Sequence, residues 1–138
     1  MIKVTQTQRD NLALAQVMWL EIPENRVSQD LSRRRIERPD VSLANNPPTD
    51  STVADFAGWC TWNTVFRAQG LRSSEFGEPY FVNNPNVSEQ DVSEVLFGVR
   101  NLLCFRGEHP QDESFGRDSD WQIVMDRMQF FMYDSVVA

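Results

Sequence analysis

Histidine occurs once in this chain, at His109, and cysteine twice, at Cys60 and Cys104. That scarcity excludes most familiar catalytic and metal-binding designs. A structural zinc site needs four close Cys or His ligands, and one His with two distant Cys has no such spacing. A cysteine nucleophile needs a base to activate it. His109 follows Cys104 by five residues and precedes Pro110, and nothing else in the sequence supports the pair. Glycine-rich phosphate loops are missing as well, since neither GxxxxGK[ST] nor GxGxxG occurs. The acidic residues Asp112, Glu113, Asp118 and Asp120 cluster in one polar loop, without the one-residue spacing and central Gly of a calcium loop. The expectation is therefore no metal and no cofactor.

Positive charge is also in short supply. Lys and Arg number 13 against 20 Asp and Glu, a formal net charge of −7. A chain that binds nucleic acid through its phosphates needs the opposite balance. Acidity leaves open a basic protein partner or mimicry of a nucleic acid. Long apolar runs are absent. No stretch approaches the roughly 20 residues of a membrane-spanning helix, and "MIKVTQTQRDN" has no apolar signal-peptide core. The reading is a soluble, intracellular chain, with Cys60 and Cys104 as buried free thiols rather than a disulfide.

What is present suits a folded domain. At 138 residues, with 41% apolar side chains, the chain is long and apolar enough to bury one core without staples. The first helix is expected from Thr7 to Leu20, with Thr7 and Asp10 as a weak capping pair. Leu14, Val17 and Met18 share one face, widened by Trp19 and Leu20, and Pro23 stops the helix. "STVADFAGWCTWNTVFRAQGL" (51–71) then packs Phe56, Trp59, Cys60, Trp62, Val65 and Phe66 together. Thr52 with Asp55 is a capping pair, and Val53, Phe56, Ala57 and Cys60 fall at helical spacing. Gly70 suits the left-handed position past the end. So much apolar circumference marks the central helix. An adjacent aromatic stripe (Trp59, Trp62, Phe66) leaves Trp62 as a candidate contact residue.

A short strand is expected at Tyr80–Val82. Ser88 with Asp91 starts another helix, with Val87 stapled on Val92; Val92, Val95 and Leu96 form its buried face, and Gly98 ends it. "LLCF" (102–105) reads as a strand or an anchored turn. Ser119 with Gln122 caps the last helix, whose inner face is Trp121, Val124, Met125, Met128 and Met132, with Phe131 beside it. The fold class is mainly α: a single domain (1–138) of about four helices with long irregular connections and one or two short strands. The longest connection, 24–50, is polar and holds the one basic run, "SRRRIER". Arg33, Arg34, Arg35 and Arg38 in this run suit docking to carboxylates or phosphates.

Parts of the chain resemble a family of small, mostly bacteriophage-borne proteins without an assigned activity. That family's helix start reads Cys-Gly-Thr, two variable residues, Cys, an apolar residue, then Ala-Gly-Trp. Here the same stretch is Asp50-Ser51-Thr52-Val53-Ala54-Asp55-Phe56-Ala57-Gly58-Trp59, with both cysteines replaced by aspartates. "FRAQGL" (66–71), "VLFG" (95–98) and "RGE" (106–108) resemble its downstream landmarks. The likeness covers about half the chain and implies a small helical protein of viral origin.

Together these features point to a non-enzymatic phage accessory protein of the host-takeover or anti-defence kind. It would act by binding a protein, or copies of itself, in the bacterial host cytoplasm. Nucleic acid and membrane are not expected partners. The alternative is a virion component, such as a capsid decoration or tail-associated protein. The third reading is a small enzyme using a pair of carboxylates, since an acidic chain offers many pairs.

Overall fold

The computed structural model describes residues 1–29, 53–74, 78–103 and 119–138. Among these, the elements in chain order are β1 (Ile2–Val4), α1 (Gln6–Leu20), a single 3-10 turn (Glu24–Arg26), α2 (Phe56–Trp62), α3 (Thr64–Ala68), β2 (Leu71–Ser73), β3 (Pro79–Phe81), α4 (Glu89–Phe97), α5 (Asp120–Tyr133) and β4 (Ser135–Val137). The chain is mainly helical, as its composition and periodicity indicate.

Helix α1 starts two residues earlier than the Thr7 reading. Thr5 is the cap: its hydroxyl accepts from the Gln8 backbone N–H, and the Gln8 side chain accepts from the Thr5 N–H. This reciprocal pair satisfies two donors that a helix start otherwise leaves open. The buried face differs too. Asn11, Leu12, Ala15 and Trp19 point inward, while Val17 and Leu20 are exposed. The reason is that polar side chains of α1 have work inside. Asn11 Nδ2 donates to the Leu96 carbonyl at 2.8 Å, and Asn11 and Gln69 pair amide to amide. Gln8 Nε2 donates to the Glu94 carbonyl at 3.1 Å. Arg9 donates to the carbonyls of Met132 and Ser135. So α1 takes up the Leu96 carbonyl at the end of α4 and the Met132 carbonyl at the end of α5, and adds a second donor to Glu94, which already accepts from the Gly98 N–H.

The expected single helix from Thr52 to Gly70 is two short ones. The cap of α2 is Asp55, whose Oδ1 accepts from the Gly58 N–H at 2.8 Å. At Asn63 the backbone turns extended, and its side chain caps α3 by accepting from Val65 and Phe66. Gly70 then takes the left-handed conformation (φ 102°), as read from the sequence. It leads directly into a β2–β3 antiparallel pair with Leu71 opposite Phe81 and Ser73 opposite Pro79. The expected strand at 80–82 is thus shifted by one residue and has a partner.

The chain ends meet in a second small sheet. β1 and β4 pair in parallel, Ile2 opposite Ser135 and Val4 opposite Val137. Four strands are therefore present among the described residues, against the one or two expected. In α4, Ser88 caps through the Asp91 N–H and Gly98 ends the helix at φ 80°. Val92 and Leu96 are buried as expected, but Val95 is exposed and Phe97 is buried instead. In α5, Ser119 caps through the Gln122 N–H, and the inner face runs through Val124, Met125, Met128 and Phe131.

Phe56 occupies the middle of the core. Its ring meets Trp19 edge-on at 5.2 Å and stacks on Phe97 at 6.0 Å, and Phe97 in turn meets Phe66 at 5.6 Å. All four side chains are fully buried. Within the dense stretch, Phe56, Ala57, Trp59, Cys60 and Phe66 belong to the core as expected, whereas Val65 is exposed and Trp62 half-buried. Trp19 and Trp121 lock α1 to α5: each indole N–H donates to the other's carbonyl, at 2.9 and 3.0 Å.

Candidate partner-binding site

Trp62 is the one sequence-predicted contact residue that the described structure places. Arg33, Arg34, Arg35 and Arg38 lie outside the described residues. Trp62 ends α2, where the helix leaves the core, and is half-buried. Its ring meets Trp59 edge-on, with centroids 5.2 Å apart and an interplanar angle of 70°. Trp59 is fixed from below, because its indole N–H donates to the Arg26 carbonyl at 3.0 Å. The Arg26 guanidinium carbon lies 4.9 Å from the Trp59 ring centroid, within cation–π range.

The backbone that holds Arg26 is fixed as well. Ala54 N–H donates to the Arg26 carbonyl at 3.1 Å, and Ser28 N–H to the Ala54 carbonyl at 3.1 Å, a short parallel bridge between Val27 and Ala54. One residue further, buried Gln29 accepts from the Phe56 N–H and donates its own N–H to Asp120. So residues 24–29, the part of the long connection that is described, are pinned to the start of α2 and to α5. This ordering was not expected from their composition.

Between these rings and the end of α1 lies a shallow groove of about 260 Å³. Met18 and Ile22 form its apolar wall, and Glu21 and Asn63 its polar edge. Asn63 Nδ2 reaches the Met18 sulfur at 3.5 Å, which ties the α2–α3 junction to α1. The groove thus offers two indoles, a thioether, a guanidinium and one carboxylate. That set can hold an apolar side chain against aromatic faces and meet a neighbouring charge. It contains no nucleophile next to a base.

Elsewhere, titratable groups have structural settings. Burial, and then the nearby Asp55 carboxylate, pushes the Cys60 thiol well above its ordinary value, so the thiol stays neutral. On the outer face of α4, exposed Arg100 bridges Asp91 at 2.8 Å and Glu94 at 3.0 Å. Hydrogen bonds from Arg100 and then Ser88 hold the Asp91 carboxyl below its ordinary range. Among the described residues, no group of three or more His, Cys, Asp or Glu side chains is placed to hold a metal ion. No helix among them is long and apolar enough to cross a membrane.

Fold and site together define a small, mainly helical domain with an aromatic groove on one side. No protein-family model, curated protein or solved structure matches the chain. The Arg26–Trp59 approach could not be read from sequence, since it joins residues far apart through a β-bridge. The aromatic stripe is the sequence feature that singles out Trp62, the residue at its edge.

Proposed function

We propose that this chain is a protein-binding accessory protein, of the host-takeover or anti-defence kind that bacteriophages carry, acting in the host cytoplasm without catalysing a reaction. The observation that carries the reading is the Trp62 corner. Trp and Arg are the side chains most enriched among residues that dominate protein–protein binding, and they work best beside packed apolar neighbours. Here Trp62, Trp59, Met18 and Arg26 adjoin one groove on a fixed backbone, so little order must be imposed on binding. The occupant that fits is a partner segment presenting an apolar side chain next to a carboxylate. The phage resemblance over residues 50–71 supplies the setting.

The test is capture of a host protein by the immobilised chain, compared with Trp62→Ala and with the triple change of Arg33, Arg34 and Arg35 to Ser. One host protein should be retained in stoichiometric amount by the wild type and lost from Trp62→Ala, which should still melt cooperatively. Reduced, more salt-tolerant retention by the triple variant would bring the arginine run into the same interface. Equal retention by wild type and Trp62→Ala would refute the site. Mass spectrometry of purified virions decides the setting: abundant peptides from this chain would make it a virion component instead.

A further inference from the structure

A groove separate from the Trp62 corner lies between α1 and α5. The two helices run antiparallel, since Arg9 reaches Met132 while Trp19 meets Trp121 at the other end. The groove holds about 440 Å³, within the about 300–1,000 Å³ of small-molecule sites. Gln16 and Leu20 line it from α1, and Trp121, Gln122, Met125 and Gln129 from α5.

This lining offers amides without charge. Among the described residues no Asp, Glu, Lys or Arg lines the groove, and three of its six side chains are glutamines. Gln122 is held along its own helix by donating to Asp126 Oδ1 at 2.9 Å. Gln16 and Gln129, on opposite walls, make no side-chain hydrogen bond among the described residues. Each therefore offers an unspent carbonyl acceptor and an unspent NH₂ donor. At the Trp19 end stands Trp121, half-buried. Its N–H is spent on the Trp19 carbonyl at 3.0 Å, so the carbon surface of the ring is what remains for a ligand. Buried Met125 and exposed Leu20 extend that apolar surface.

We infer that this groove binds a neutral saccharide, a short chain of hexose rings with equatorial hydroxyls. Such a ring presents two surfaces at once. Its C–H faces are apolar and pack on an indole, and each hydroxyl on its rim both donates and accepts. A free carboxamide also does both, so Gln16 and Gln129 can each engage neighbouring hydroxyls. A phosphorylated or acidic ligand would give up water here and meet no cation in return. A neutral peptide strand fits less well. Bonding its main chain calls for a row of partners along one edge, whereas these two amides stand on opposite walls. The α5 wall from Trp121 to Gln129 is roughly 12 Å long, so several linked rings rather than one can follow it.

The probe is cellotriose, a neutral trisaccharide with equatorial hydroxyls, at millimolar concentration against the full chain. Saturation-transfer NMR should show contact, strongest on the protons of one ring face. In the amide spectrum of isotope-labelled protein, the side-chain NH₂ signals of Gln16 and Gln129 should move on titration, while the Trp62 indole signal stays still. Because these shifts are read on the wild type, they test the site whatever the stability of a variant. Gln16→Leu combined with Gln129→Leu should weaken binding about tenfold or more. Neither carboxamide has a partner in the fold, so this double variant should melt as the wild type does. Trp62→Ala should bind cellotriose unchanged. No transfer to cellotriose, or full binding by the folded double variant, would overturn the proposal. Equal binding of an oligomer of glucuronate would do the same, since an uncharged lining should reject it. So would a neutral proline-rich peptide that moves the same two amides at lower concentration, because the occupant would then be a peptide.

Discussion

Phe56→Ala is the sharpest perturbation of this fold. The ring is fully buried, and it touches Trp19 edge-on and Phe97 face-on. Truncating a buried Phe costs about 3–5 kcal/mol through lost transfer energy and the cavity left behind. Each favourable ring pair adds about 0.5–1.5 kcal/mol beyond burial. With two such pairs lost, the expected cost lies in the upper part of the range, about 4–5 kcal/mol. That is a large share of the about 5–15 kcal/mol that holds a domain together. Phe56→Leu keeps most of the volume and should cost about 1–2 kcal/mol. Urea melts followed by tryptophan fluorescence measure both, because Trp19 reports directly on the contact. A loss under about 1 kcal/mol for the Ala variant, or equal losses for Leu and Ala, would refute the placement of Phe56 at the centre.

Three further predictions follow from the same packing. Gly98→Ala should cost about 2–3 kcal/mol, because its φ of 80° disfavours a side chain and the new Cβ would lie 2.5 Å from Val4 Cγ1; Gly70→Ala, whose nearest neighbour would be at 3.4 Å, should lose less in the same thermal melts. Asn11→Ala should cost about 1–3 kcal/mol by stranding the Leu96 carbonyl, and a double variant with Gln69→Ala should lose less than the sum of the singles. Cys60 should resist iodoacetamide in the native protein and react only after unfolding, read by mass spectrometry of its peptide. Because its pKa is raised on folding, the unfolded thiol ionises first, so this group subtracts stability as pH rises above its ordinary value.

Local signals in the sequence carried where one residue type does one job. Ser88 and Ser119 each cap the helix their spacing marks, Gly70 takes the left-handed position expected of it, and Gly98 ends α4 as expected, also at positive φ. Thr5 and Thr7 both precede plausible cap partners, and only the Gln8 side chain's bond to the Thr5 N–H decides between them. The expected face of α1 holds at Trp19, with Leu14 and Met18 packed against the core. It does not hold at Val17 and Leu20, because Asn11 is polar yet turned inward, where Gln69 and the end of α4 satisfy it. Asn63 breaks the central helix by capping the next one, a choice that the apolar run on both sides conceals. The β1–β4 pair joins residues 2–4 to 135–137, and three-residue strands at opposite ends carry no local pattern that names the partner. For the site, the aromatic stripe pointed to Trp62, while its neighbour Arg26 arrives only through the bridge to Ala54.

The central claim is that the Trp62 corner contacts a protein partner, and site-specific crosslinking tests it most directly. A photoreactive phenylalanine analogue in place of Trp62, with the same analogue in place of exposed Lys3 as control, would be activated in cells of the proposed host that produce the chain. The account predicts one adduct of defined mass from position 62 and none from position 3. No adduct from position 62, or the same adducts from both positions, would contradict it.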